Sequence, residues 1–320
     1  MRVAAAAPGA RLVAVCDTDE VALARAAQMA RGARAVDSLD AVLADRAVEA
    51  VILATPAGQH AEQTTRALRA GRHVLVEKPL ALTVGDAQRA VNAAEQAGRI
   101  LAVGHLMLYH PAVLRLRELL RSGELGHLYY LYSSRVNLGR LRSDENALWS
   151  FAPHDLSMID FLLDGELPES VSARGQSYLQ AGVEDVVFVT LKYRRGQMGH
   201  IHLSWLDPRK ERRLTLVCSR KMVEFNDVAS EKLRIYDKGY DRPPAFAQYA
   251  DYLTLRQGDI HIPHVPMAEP LALEVNHFVD SVRHGTRPRT DGESGLRIAR
   301  ILAAAESSLA ADGAPVALAY

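Results

Sequence analysis

The chain has 320 residues, 48% hydrophobic and 24% charged, with 38 basic against 38 acidic side chains and a formal net charge of zero. That length suits two domains and the composition can bury a core. With no basic excess to release counterions, no nucleic-acid partner is expected, and apolar runs that stop near nine residues predict no membrane span.

Residues 12–16 form a continuous apolar run closed by Asp17-Thr18-Asp19, predicted as a strand buried on both faces. Thr18 or Asp19 can cap a helix reaching about Met29. Residues 48–54 predict a second strand that stops at Thr55-Pro56, because proline cannot continue a central ladder. A helix over 60–70, closed by Gly71, leads to a strand at 73–76 that runs into Glu77-Lys78-Pro79. A helix over 83–97, ended by Gly98, leads to a further strand at 100–103. Strands spaced by helices of this length mean βαβ units and a parallel sheet.

The texture changes near Gly126. Runs at 128–136, 186–193, 200–205, 213–217 and 233–236 are rich in β-branched and aromatic residues, with a hairpin signal at Arg195-Gly196. Helical patterns remain at 153–163, 271–284 and 295–310; the stretch 237–270 has no clear period. The prediction is α/β. A Rossmann-type parallel sheet over residues 1–105 precedes an α+β domain over 106–320 with an open antiparallel sheet, the C-terminal helix packing back on the first domain. Cys16 and Cys218 sit in apolar runs and read as reduced core residues of a cytoplasmic protein. The first residues hold too short an apolar run for a signal-peptide core.

In an open parallel sheet, ligands bind beyond the carboxyl ends of the strands. The residues there are Asp17, Thr55-Pro56, Glu77-Lys78-Pro79 and Gly104-His105. Asp17 could accept hydrogen bonds from ribose hydroxyls and would repel a 2′-phosphate, or it could simply cap the next helix. Lys78 is the single lysine among the first 191 residues, which hold eighteen arginines. Lysine can release a proton when partly buried and arginine cannot, although a surface lysine fits the same pattern. His154 follows Pro153 at a predicted helix start, where a neutral ring could relay a proton or pair with Asp155. The pairs His200/His202 and His261/His264 lack carboxylate or cysteine company at ligand spacing, so no metal site is expected.

From Ala54-Thr55-Pro56 and His60 through Gly71-x-His73-Val74-Leu75-Val76-Glu77-Lys78-Pro79, the chain resembles the Gfo/Idh/MocA oxidoreductases. The resemblance continues through Gly104-His105, Tyr109-His110-Pro111 and Trp149–Asp155. It resumes in the tail at Glu274-Val275-Asn276-His277-Phe278 and Gly285-Thr286-Arg287-Pro288. It implies an enzyme that binds NAD(P), where Asp17 favours NAD over NADP, and that moves a hydride at a sugar or nucleotide-sugar hydroxyl carbon. Lys78 and His154 match the family's catalytic positions, and Asp17, Thr55, Pro56, His60, Glu77 and Lys78 its cofactor-lining ones. The Trp149–Asp155 segment looks most like members acting on nucleotide-linked sugars. A cyclitol dehydrogenase and a non-catalytic sensor on the same fold are the alternatives, and a homo-oligomer through the open sheet face is expected.

Two features depart from the pattern. Ser150 stands where many members carry an aspartate, and no Gly-x-Gly-x-x-Gly loop is present; residues 2–9 resemble the end of the first helix instead. The resemblance thus implies a sheet without its first strand, leaving a gap of roughly 9.6 Å. The expectation is an irregular N-terminal sheet or flanking strands drawn together, with weak NAD binding.

Overall fold

Side-chain caps open two of the helices that the sequence places in the first hundred positions. The computed structural model describes residues 1–30, 32–139, 145–241 and 253–318. Its elements begin with α1 (Arg2–Ala5), β1 (Ala14–Cys16), α2 (Glu20–Met29), β2 (Arg34–Val36) and α3 (Leu39–Ala44). They continue with β3 (Ala50–Leu53), α4 (Ala57–Arg69), β4 (His73–Glu77), α5 (Val84–Ala97) and β5 (Leu101–Gly104). The Asp19 carboxylate accepts from Ala22 N at 2.8 Å to start α2, and the Thr83 hydroxyl accepts from Asp86 N at 3.1 Å to start α5. Gly98, at φ 59°, ends α5 in the left-handed conformation that glycine adopts without cost. The short β2 and α3 escape periodicity analysis because neither is long enough to display a period.

The parallel strands stand in two pieces. β1 pairs with β2, and β3, β4 and β5 pair in that order. Among the described residues no ladder joins β1 to β3, so the sheet is irregular and those two strands are not drawn together by hydrogen bonds.

After a 3₁₀ turn at Leu106–Tyr109 come α6 (Pro111–Arg121), β6 (Leu128–Leu138) and α7 (Ala147–Leu162). Then follow β7 (Ser170–Gln176), β8 (Val186–Lys192), β9 (Met198–Ser204), β10 (Leu206–Cys218), β11 (Met222–Asn226), β12 (Leu233–Asp241) and β13 (Thr254–His261). The chain ends with α8 (Pro270–His284), α9 (Gly292–Ala310) and β14 (Val316–Ala317). Nine strands form one sheet in the order β13-β12-β11-β10-β6-β9-β8-β7-β14. It is mixed rather than wholly antiparallel, because the β6–β9 pair at its centre is parallel. The helix α7 and the β7–β8 hairpin intervene between these two strands, and such a crossover permits parallel pairing where a tight turn would not.

Two compact units result: residues 1–109 with 268–299, and residues 110–267 with 300–320. In the first, alternation along the strands sends Val74, Val76, Leu101 and Val103 to one face against Ala87, Ala90 and Val91 of α5 and Leu296 of α9. Leu75 and Ala102 point to the other face, against Val275 and Phe278 of α8. No described helix is long and apolar enough to cross a membrane.

Two expectations are corrected here. Cys16 is exposed rather than a core residue, since β1 ends there at the sheet margin; Cys218 is buried. Pro153 does not open a helix: α7 starts at Ala147, capped by the Asn146 side chain accepting from Trp149 N at 3.1 Å, and Pro153 lies inside it. His154 is therefore in mid-helix, and the argument from a helix N-terminus does not apply to it.

Candidate active site

The β4–β5 register places Glu77 beside Gly104. Glu77 folds back so that its Oε2 accepts from Lys78 N at 3.3 Å. A Cβ at position 104 would lie 3.0 Å from that oxygen and 3.2 Å from the Glu77 Cα. Glycine is thus what lets the carboxylate lie over the end of β5.

His105, the next residue, is buried, and among the described residues neither of its ring nitrogens has a hydrogen-bond partner. Burial first, then the Lys78 and Arg297 cations, push its pKa down to about 4, with Asp291 opposing. The ring beside Lys78 is therefore neutral near pH 7, with one donor and one acceptor unspent. Orphaned buried polar groups of this kind cost about 1–3 kcal/mol each unless something fills them.

The helix α8 adds a second layer. Glu274 is buried with its Oε1 unpartnered among the described residues, and burial together with the charge of Glu77 raises its pKa to about 8. One turn on, His277 Nδ1 lies 3.0 Å from the Tyr109 hydroxyl, which also lies 3.2 Å from Thr290 Oγ1. Burial is the main cause that pushes the Tyr109 hydroxyl up to about 12, so it stays protonated. The Arg289 guanidinium sits 4.8 Å from the centre of the Tyr109 ring and donates to Leu108 O at 3.2 Å. The segment is pinned to β5 by Val103 N donating to Thr290 O at 2.7 Å.

Thr55 donates its hydroxyl to Gln63 Oε1 at 2.7 Å, and Pro56 is the N-cap of α4, which has no side-chain cap. His60 is buried, and both ring nitrogens lie 2.7 Å from backbone carbonyl oxygens, those of Pro79 and Thr55. The resemblance placed His60 along the cofactor; the structure spends its ring on the protein's own backbone.

Thr55, His60, Glu77 and Lys78 are thereby gathered at the ends of β3 and β4. Asp17 stands apart at the end of β1, exposed, its Oδ1 accepting from Asp19 N at 3.0 Å and its other oxygen free of that turn. His154 lies in the second unit on α7. There the neighbouring Asp155 is buried and accepts from Arg135 Nε at 2.5 Å, which ties this turn of the helix to β6. His105 stands at a strand end where the sequence places ligand contacts, whereas Tyr109, Glu274, His277 and Thr290 were not expected as site residues. Tyr109, Glu274 and His277 fall in segments that carry the family resemblance, and Glu274 and His277, three apart, share a helix face.

Residues 1–105 match an oxidoreductase family described as having an NAD-binding Rossmann fold, and residues 113–224 match the GFO/IDH/MocA C-terminal domain. The chain is similar to a putative oxidoreductase from Magnetospirillum magnetotacticum MS-1, with 31% identity and a TM-score of 0.80 over 95% of this chain and 94% of that one. It is similar to the WlbA dehydrogenase from Bordetella pertussis, solved in complex with NADH and UDP-GlcNAcA. There the identity is 27% and the TM-score 0.76, over 97% of this chain and 92% of that one. A UDP-N-acetylglucosamine 3-dehydrogenase from Acidithiobacillus ferrooxidans is 27% identical over 83% of this chain and 79% of its own length. The chain spans about half the length of the first curated relatives it matches.

Proposed function

This chain belongs to the Gfo/Idh/MocA oxidoreductase family, and from that premise we propose that it is an NAD-dependent dehydrogenase acting on a hydroxyl carbon of a nucleotide-linked sugar. The observation that carries the proposal is the group at the end of β4. Lys78 follows a carboxylate fixed over β5, beside a buried neutral His105 whose two ring nitrogens are unspent. Those orphaned atoms and the uncapped amino end of α4 suit the polar groups of a dinucleotide. NAD, when bound, supplies or takes up the hydride. The protein's own part is proton handling and orientation. Lys78 holds the reacting hydroxyl beside the neutral His105, and His154 takes or returns the hydroxyl proton. Thr55, Pro56 and Glu77 line the cofactor. The nucleotide-sugar assignment is supported by the likeness to the WlbA dehydrogenase and to the UDP-N-acetylglucosamine 3-dehydrogenase.

Asp17 sets the cofactor. Its free carboxylate oxygen at the end of β1 suits two ribose hydroxyls and repels a 2′-phosphate. Initial rates with NAD and NADP on a UDP-sugar and on myo-inositol test the whole reading. NAD with the UDP-sugar should give the highest kcat/KM, and Asp17→Ala should shrink the preference for NAD. A higher kcat/KM with NADP would overturn the role of Asp17, and turnover of myo-inositol alone would make the enzyme a cyclitol dehydrogenase.

The working form is a homo-oligomer built on the open face of the nine-stranded sheet. Tyr132 and Thr190 both stand in register with His200, and Phe188 with His202. The Phe188 ring stacks on His202 at 4.5 Å and on His200 at 6.1 Å, while Tyr130 stacks on Tyr132 at 6.3 Å. Tyr130, Tyr132, Phe188 and Met198 are exposed large hydrophobics on this one face. Such a stripe is the kind of surface a second subunit covers. Sedimentation velocity of the doubly substituted Tyr132→Glu, Phe188→Glu protein should show monomers where the unsubstituted protein shows a dimer or larger. An unsubstituted protein that already runs as a monomer rules the assembly out.

A further inference from the structure

We propose that His60 is an imidazolium, a buried cation that clasps the end of β3 to the segment beyond β4 and so positions Lys78. His60 is the fourth residue of α4 and is 2% exposed. Its Nδ1 lies 2.7 Å from Pro79 O and its Nε2 lies 2.7 Å from Thr55 O. A carbonyl oxygen only accepts, and a neutral imidazole carries a single N–H. Either neutral tautomer would therefore set a nitrogen lone pair against a carbonyl lone pair at 2.7 Å. Turning the ring over exchanges nitrogens for carbons at both places and loses both hydrogen bonds. The doubly protonated ring alone satisfies both carbonyls, and 2.7 Å is at the short end for N–H···O, where charge-assisted bonds fall. The positive amino end of α4 opposes this charge, but two hydrogen bonds from a charged donor outweigh an effect confined to the first turn.

The two carbonyls lie beyond the last paired residues of the β3–β4 ladder, Leu53 and Val76, where the strands no longer hold each other. Thr55 leads from β3 into α4, and Pro79 follows Lys78 directly. Holding both on one rigid ring fixes the backbone on the far side of Lys78, while the Glu77 carboxylate holds its amide. A ring with one proton would release one of the two segments. His60 is thus a positioning residue whose own ring is fully used, and its consequence for turnover rests on the reading of Lys78 given above.

The test is nitrogen NMR on protein labelled at histidine, near pH 8.5, about two pH above the ordinary imidazole value. Of the twelve histidines, one ring should carry protons on both nitrogens, and that signal should vanish in His60→Gln. The same variant should lose about tenfold in kcat with the substrate KM little changed, as expected when a reacting group is misplaced rather than a binding contact removed. A spectrum of the unsubstituted protein with no doubly protonated ring overturns the proposal, whether or not His60→Gln folds. So does a doubly protonated ring that survives in His60→Gln. Lys78→Met should leave the ring signal intact; if that variant turns over normally with the signal present, the clasp stands and the role of Lys78 falls.

Discussion

Lys78→Met and His154→Asn should each lower kcat by roughly a hundredfold or more, the scale of a lost general acid–base contribution. Methionine keeps the length and apolar stem of Lys78 and removes only the ammonium, so the end of β4 should keep its shape. His154 lies on a helix whose neighbouring turn is already anchored by the Arg135–Asp155 pair, so an asparagine there removes the ring without unseating α7. Binding of NAD should survive the His154 change with little loss, since the first unit carries the strand ends that hold it. Measured on single-turnover and steady-state rates, the loss should appear in kcat. Near-normal turnover in both variants would mean that neither side chain handles the proton, and absence of turnover in the unsubstituted protein would favour a non-catalytic sensing role.

The second large effect concerns stability. Glu274 is held to about 8 against an ordinary 4.5 by burial and by the charge of Glu77. Below pH 4.5 the carboxyl is protonated in the folded and the unfolded chain alike. Between 4.5 and about 8 only the folded chain keeps the proton, so unfolding releases it and stability falls as pH rises through that window. At 1.36 kcal/mol per tenfold in proton affinity the ceiling is about 5 kcal/mol, and relaxation around a buried carboxylate brings the expectation to on the order of 2–3 kcal/mol. Glu274→Gln keeps the shape and does not titrate. Urea midpoints at pH 5 and pH 8 should therefore differ less in the variant, which should be the more stable protein at pH 8. Equal pH dependence in the two proteins would mean that Glu274 is ionised throughout.

Much of the first unit is legible in the sequence because its determinants are local. A strand covered on both faces must be apolar throughout, and Asp19, Thr83 and Gly98 act within one turn of where they stand. The strand-end rule then leads to Thr55, Glu77, Lys78 and His105. What escapes is set by tertiary contact. Pro153 looks like a helix start, yet α7 is buried along most of its length, and that packing carries the helix through a proline that local propensity would place at its first turn. The polar half of β10, Asp207 to Arg213, has no strand pattern, and Leu206 before it and Glu211 to Arg213 at its end pair with β6 across a shift of register. His60 looks like a ligand-facing ring until the Thr55 and Pro79 carbonyls, five and nineteen residues away, are seen to occupy both its nitrogens. Glu274 carries no mark in the sequence of how deeply α8 buries it.

The division of the parallel strands has a consequence for how the two ends of a long ligand are held. Among described residues 10–36, only Val15 and Ala30 are buried, and α2 buries none of its side chains. A three-residue pairing of β1 with β2 holds this part together. Segments with so little interior open at a small fraction of the global unfolding free energy, while β4, packed on both faces, opens only with the whole unit. The Asp17 end is therefore expected to open more readily than β4, and a ligand read there would have to order it, which would subtract from affinity at that end alone. On the reading proposed above, the grip on a dinucleotide would be lopsided: firm and preformed where Lys78 stands, and conditional on local folding where the ribose would be read.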